Sequence, residues 1–147
     1  MTNGTVEILL VEDNPADLRL SLHALKQNNL ANHVQIARDG AEALEFLFHE
    51  GAFESRAGSE NPRVVLLDLK LPKVDGLEVL RRMKADERTR SVPVVVLTSS
   101  SEERDIVETY QLGVNSYIVK PVDFAQFTDA MRTIGMYWLL LNNVPTL

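Results

Sequence analysis

The sequence predicts an α/β domain with an open, doubly wound parallel sheet of five strands and an extended C-terminal helix. Three observations carry this. Short apolar runs alternate five times with longer amphipathic ones. Three of the short runs are apolar nearly throughout, as expected for parallel strands covered on both faces. The borders carry capping and turn residues, including Asn14-Pro15, Asp39-Gly40 and Asp75-Gly76. At 147 residues the chain is about one domain, with a core over roughly residues 5–135 and an extension over 136–147.

The expected strands are Val6–Val11 (VEILLV), His33–Ala37 (HVQIA), Val64–Leu67 (VVLL), Val94–Leu97 (VVVL) and Tyr117–Val119 (YIV), on their β-branched content. Between them lie the helices. Pro15–Asn28 starts with an Asn cap and a Pro in its first turn, and sets Leu18, Leu22 and Leu25 on one face. Ala41–His49 places Ala43, Leu44, Leu47 and Phe48 at helical spacing. Leu77–Ala85, Glu102–Leu112 and a last helix from Phe124 complete the alternation. Glu50–Pro62 (EGAFESRAGSENP) is polar and rich in small residues, and reads as a long surface loop serving as filler.

Composition narrows the function classes. A net charge of −6, with no run of Lys and Arg to offset it, argues against direct nucleic-acid binding. Cysteine is absent, which removes disulfides, thiolate metal sites and a cysteine nucleophile. The N-terminal MTNGTVEILLVED has no basic leader, and its apolar run is too short for a signal-peptide core or a membrane span. The expectation is a cytoplasmic protein. His23, His33 and His49 share no metal-ligand spacing and are expected at the surface or sheet edge.

Ligands of open α/β sheets bind beyond the carboxyl ends of the strands. Those ends carry Glu12-Asp13, Asp68, Thr98-Ser99 and Lys120-Pro121, so three carboxylates, a hydroxyl and a lysine share one rim. Three carboxylates that close repel one another unless a cation joins them. Oxygen-only donors without His or Cys favour Mg²⁺. Such a rim can hold a transferring phosphoryl group, with the metal and Lys120 on its oxygens, Thr98 donating to a third, and Asp68 as nucleophile.

The motifs LLVEDNP, VVLLDLKLPKVDG, VVVLTSS and SYIVKP stand in this order at the first, third, fourth and fifth strands. The chain resembles the receiver domain of two-component response regulators over roughly residues 5–135. The resemblance implies the flavodoxin-like receiver fold, with Asp68 as phosphoacceptor and a histidine kinase or phosphotransfer protein as donor. It implies Mg²⁺ bound directly by Asp13, through water by Glu12, and by the backbone carbonyl of Lys70. Thr98 and Lys120 become the phosphoryl-sensing pair, Tyr117 the aromatic switch, and Lys120-Pro121 the family's cis peptide. Many relatives have Asp-Asp where Glu12-Asp13 stands. Lys70 and Ser100 occupy variable flanking positions that tune phosphoryl lifetime.

From Phe124 the apolar stripe runs through Phe127, Met131, Ile134, Trp138 and Leu141. Beyond Ile134 the helix is apolar almost all round, and Met136, Tyr137, Trp138, Leu139, Leu140 and Leu141 are expected to contact a second copy in a two-fold dimer. The long loop and the ending MYWLLLNNVP resemble, more narrowly, the single-domain regulators that partner bacterial phytochrome kinases. Phosphotransfer is the leading reading, and each of three rival functions meets an objection. An aspartate-nucleophile phosphatase wants a second acid where Lys70 stands. A nucleotide binder would meet repulsion from Glu12-Asp13. A pseudo-receiver interaction module has no need of all four of Asp68, Asp13, Thr98 and Lys120.

Overall fold

The structure, a computed structural model, describes residues 7–28, 34–58, 60–99, 102–120 and 123–134. Five strands, β1 (Ile8–Val11), β2 (Val34–Ala37), β3 (Val64–Leu67), β4 (Val94–Thr98) and β5 (Ser116–Val119), form one parallel sheet in the order β2-β1-β3-β4-β5. The helices are α1 (Pro15–Gln27), α2 (Gly40–Phe48), α3 (Gly76–Ala85), α4 (Glu103–Gln111) and α5 (Phe124–Ile134). Each expected strand and helix is present among the described residues, with ends moved by at most two residues; the helical extension beyond Ile134 falls outside them. His33, Pro121, Ser100 and the predicted interface Met136–Leu141 lie outside the described residues.

The central strands β1, β3 and β4 are buried along their whole length, whereas β5 is half-buried throughout and β2 largely so. This follows from position. A central strand of a covered parallel sheet has no wet face, and an edge strand does. Alternate residues split the core into two layers. Ile8, Leu10, Val64, Leu66, Val95 and Leu97 pack with Leu18 and Leu25 of α1 and Met131 of α5. Leu9, Val11, Val65, Leu67, Val94 and Val96 pack with α2 and α3 on the other side. Helix α4 is the least buried of the described helices in this layer, with Thr109 its one buried residue among those described.

The segment expected to be filler is partly ordered. Residues Gly51–Arg56 form a 3₁₀ helix, which we label η1. Phe53 meets Phe46 of α2 edge-on, with ring centroids 5.2 Å apart. Arg56 stacks over the same Phe46 ring at 3.9 Å and donates to the Phe46 carbonyl. Phe46 is therefore fully buried although it stood outside the predicted stripe of α2. A polar composition concealed two side chains that do packing work.

Two glycines position the loop after β3. A Cβ on Gly76 would lie 2.3 Å from the Asp68 carbonyl oxygen and 2.5 Å from Leu69 Cα. A Cβ on Gly40 would lie 1.7 Å from the Val74 carbonyl oxygen. Both contacts are backbone to backbone, so only a residue without a side chain permits them. The first turns of α2 and α3 thus hold the 69–75 loop between them, with Gly40 N–H donating to the Pro72 carbonyl and Gly76 N–H to that of Leu69.

Candidate functional site

Parallel register brings the strand ends together. Val11 pairs with Leu67, Leu67 with Val96, and Thr98 with Val119. The next residues continue these ladders: Asp68 N–H donates to the Val11 carbonyl, and Lys120 N–H to the Thr98 carbonyl at 2.7 Å. Glu12, Asp68 and Lys120 share the parity of Leu10, Leu66 and Ile118, so they extend the layer beneath α1 and α5. Thr98 and Tyr117 have the opposite parity. Thr98 is fully buried, and half-buried Tyr117 packs against the α2–α3 layer.

Lysine 120 ties the rim together. Its Nζ donates to Glu12 Oε1 at 2.8 Å, Asp17 Oδ2 at 2.8 Å and Asp68 Oδ2 at 3.3 Å. The other oxygens of the two buried acids are held by backbone: Asn14 N–H reaches Glu12 Oε2 at 3.3 Å, and Lys70 N–H reaches Asp68 Oδ1 at 3.2 Å. The Lys70 side chain is exposed, so its nearness to the site is through the main chain. Burial is the main influence on Glu12, pushing its carboxyl from the ordinary 4.5 up to about 7; the Lys120 hydrogen bond opposes this and the charge of Asp68 adds to it. On Lys120, burial works against the charged form, but the carboxylates of Asp17, Glu12 and Asp68 outweigh it and raise its pKa well above the usual range.

Oxygen atoms of Glu12, Asp13 and Asp68 lie within 4.8 Å of one another, the one such group among the described residues. Glu12 and Asp68 are buried and Asp13 is exposed, so a cation held between them keeps an open side. This donor set fits a hard divalent ion of the Mg²⁺ type, which takes one or two carboxylates and retains waters. An open cleft of about 510 Å³ adjoins it, bounded by Asp13, Lys70 and Pro72 on one side and Glu102, Arg104 and Asp105 on the other. A phosphoryl donor has room to approach there.

Asp17 escaped the sequence reading. Residues 17, 21, 24 and 28 fall on one stripe of α1, and the burial of Ser21 and Ala24 on it, which makes an acid there need a partner, comes from the fold and not from the sequence pattern. Of the histidines among the described residues, neither joins the acidic group; His23 is exposed and His49 ends α2 in a left-handed conformation.

A parallel sheet in this order, with an acidic cluster and a lysine at its carboxyl rim, defines a phosphoacceptor α/β domain of the receiver class. The chain belongs to the response regulator receiver domain family, whose model matches residues 8–132. It is 40% identical over 144 residues to the response regulator Rcp1 of Synechocystis, covering 98% of this chain and 96% of that protein. It is 45% identical to the probable methanogenesis regulatory protein FilR2 of Methanothrix harundinacea, covering 94% and 86%. Among solved structures, the Mn²⁺-bound form of Rcp1 superposes with a TM-score of 0.82 over 95% of this chain and 98% of that one. The phosphorylated cyanobacterial phytochrome response regulator RcpA gives 0.83 at 42% identity, covering 95% and 97%. The bacteriophytochrome response regulator AtBRR gives 0.74 at 57% identity, covering 92% and 96%. Aspartate phosphorylation is general to this family. Among the described residues no helix is long and apolar enough to cross a membrane.

Proposed function

We propose that this chain is a single-domain response regulator that receives a phosphoryl group on Asp68 from a histidine kinase. The observation that supports it best is the convergence of Glu12, Asp13 and Asp68 within 4.8 Å, with Lys120 joined to two of the three. Asp13 and Asp68, the Lys70 carbonyl, and Glu12 through water would hold Mg²⁺. Bound there, the ion would neutralise charge on the phosphoryl oxygens as they transfer.

The chain's own residues do the rest. An Asp68 carboxylate oxygen attacks phosphorus, a P–O bond forms, and the P–N bond to the donor imidazole breaks with the electron pair leaving on nitrogen. Lys120, one residue beyond β5, moves its Asp68 contact onto a phosphoryl oxygen. Thr98 donates its hydroxyl to another, and Tyr117 on the same side of the sheet follows Thr98. The same residues serve hydrolysis, in which water attacks phosphorus and the P–O bond to Asp68 breaks with the carboxylate leaving, so the domain supports its own phosphorylation and dephosphorylation.

The names of two similar solved structures favour a phytochrome kinase as donor. The cytoplasm, where histidine kinases present their phosphoryl group, is the compartment this reading requires. The apolar run Met136–Leu141 favours a homodimer, and the net charge of −6 argues against a direct nucleic-acid partner. The reading is tested by intact mass after incubation with acetyl phosphate, with and without Mg²⁺, on the wild type and Asp68→Asn. One phosphoryl adduct requiring both Mg²⁺ and Asp68 is expected; no adduct at early sampling leaves the interaction-module reading. Truncation after Ile134 should lower self-association and spare the chemistry, and an equally tight dimer would refute the interface.

A further inference from the structure

The Lys120 ammonium has three hydrogens and three carboxylate partners. Glu12 and Asp68 belong to the metal and phosphoryl chemistry described above; Asp17 is needed for neither. Yet Asp17 Oδ2 lies 2.8 Å from Nζ, as close as Glu12 and closer than Asp68 at 3.3 Å. The Asp17 side chain is 39% exposed, against 2% for Glu12 and 9% for Asp68. Asp17 therefore meets the ammonium from the solvent side, and the other two meet it from within.

Helix capping does not account for this carboxylate. Asp17 is the third helical residue after the cap Asn14, and its N–H donates to Asn14 Oδ1 at 3.0 Å. In a reciprocal cap, an acidic side chain at this position turns back to the N–H of the capping residue. Here that N–H goes to Glu12 Oε2 instead, and the Asp17 carboxylate reaches across to β5's end.

We propose that Asp17 is a positioning residue that draws the Lys120 ammonium off Asp68, so that the unphosphorylated site can take up Mg²⁺. The proposal rests on the metal-site reading above. An ammonium seated between Glu12 and Asp68 is a cation competing for the oxygens that a metal needs. A third carboxylate outside the metal's donor set gives that ammonium another place to rest. Without it, the freed donor has water as its partner, and the ammonium settles further onto Asp68.

The test is calorimetric titration of the metal-free protein with MgCl₂, in the wild type, Asp17→Asn, Lys120→Met and the double variant, with Asp13→Asn as control. Asp17→Asn is expected to weaken Mg²⁺ binding by about three- to tenfold. Lys120→Met is expected to tighten it. In the Lys120→Met background, Asp17→Asn should change affinity by less than about twofold, since the half-exposed charge is then screened. Unchanged affinity in Asp17→Asn, even with a lowered melting temperature, would reduce Asp17 to a helix-end acid and overturn the proposal. Equal weakening in both backgrounds would overturn it too, because Asp17 would then act on the metal without Lys120. Wild-type binding that Asp13→Asn leaves unaltered would instead remove the metal site itself.

Discussion

Glu12→Gln should make the metal-free protein more stable at pH 8 and leave it unchanged near pH 4, while weakening its hold on Mg²⁺. Burial raises the Glu12 carboxyl from the ordinary 4.5 to about 7 in the folded protein. A carboxyl raised in this way binds its proton more tightly folded than unfolded. Its contribution to stability is complete below about 4.5 and is lost as pH rises through about 7. Each tenfold in proton affinity is about 1.4 kcal/mol, so the ionised form costs about 3 kcal/mol at pH 8. Glutamine keeps the shape and neutrality of the protonated acid at every pH. For a chain of this size about 3 kcal/mol is roughly 6–12 °C in melting temperature. The assay is thermal unfolding of both proteins in chelator at pH 4 and pH 8, repeated with saturating Mg²⁺. The metal should stabilise the wild type more, narrowing or reversing the gap at pH 8. An equal difference at both pH values, or a variant less stable than wild type in chelator at pH 8, would refute the reasoning.

Lys120→Met leaves buried Glu12 and Asp68 without their cation, and should cost about 3 kcal/mol at pH 8 in urea unfolding, less at pH 5 where Glu12 holds its proton. Gly76→Ala forces a Cβ against the Asp68 carbonyl and Leu69 Cα; it should cost about 1–3 kcal/mol and slow acetyl phosphate loading about tenfold, read by intact mass. Phe53→Ala opens the edge of the buried Phe46 ring and should lower stability by about 1–2 kcal/mol with phosphoryl uptake unaltered, since η1 packs on α2 away from the rim.

Much of this architecture could be read from the chain because its local signals agree with one another. A short run such as VVLL, β-branched at its start and shortly preceded by a proline, reads as a strand covered on both sides, and the acid that follows it then falls at the rim. Asn14, Asp39 and Asp75 each accept a hydrogen bond at a helix start, as their positions in the sequence suggested. What was hidden depends on contacts between distant segments. Nothing near Asp17 in sequence announces Lys120, which arrives 103 residues later. The packing of Phe53 and Arg56 on Phe46 was hidden by the polar residues around them. The burial of Phe46 likewise follows from a neighbour that helical periodicity does not contain.

The lysine that joins the rim stands 52 residues from Asp68 and 108 from Glu12 along the chain. Neither contact can form until β1, β3, β4 and β5 are side by side in register, and such long closures come late in assembly. A half-assembled chain holding only β1, α1 and β2 has Glu12 and Asp13 but no completed cluster. The metal then has little to grip before the folding barrier is crossed. Mg²⁺ should therefore slow unfolding while leaving the folding rate nearly as it was, which makes the ion a lock on the finished sheet rather than a template for building it.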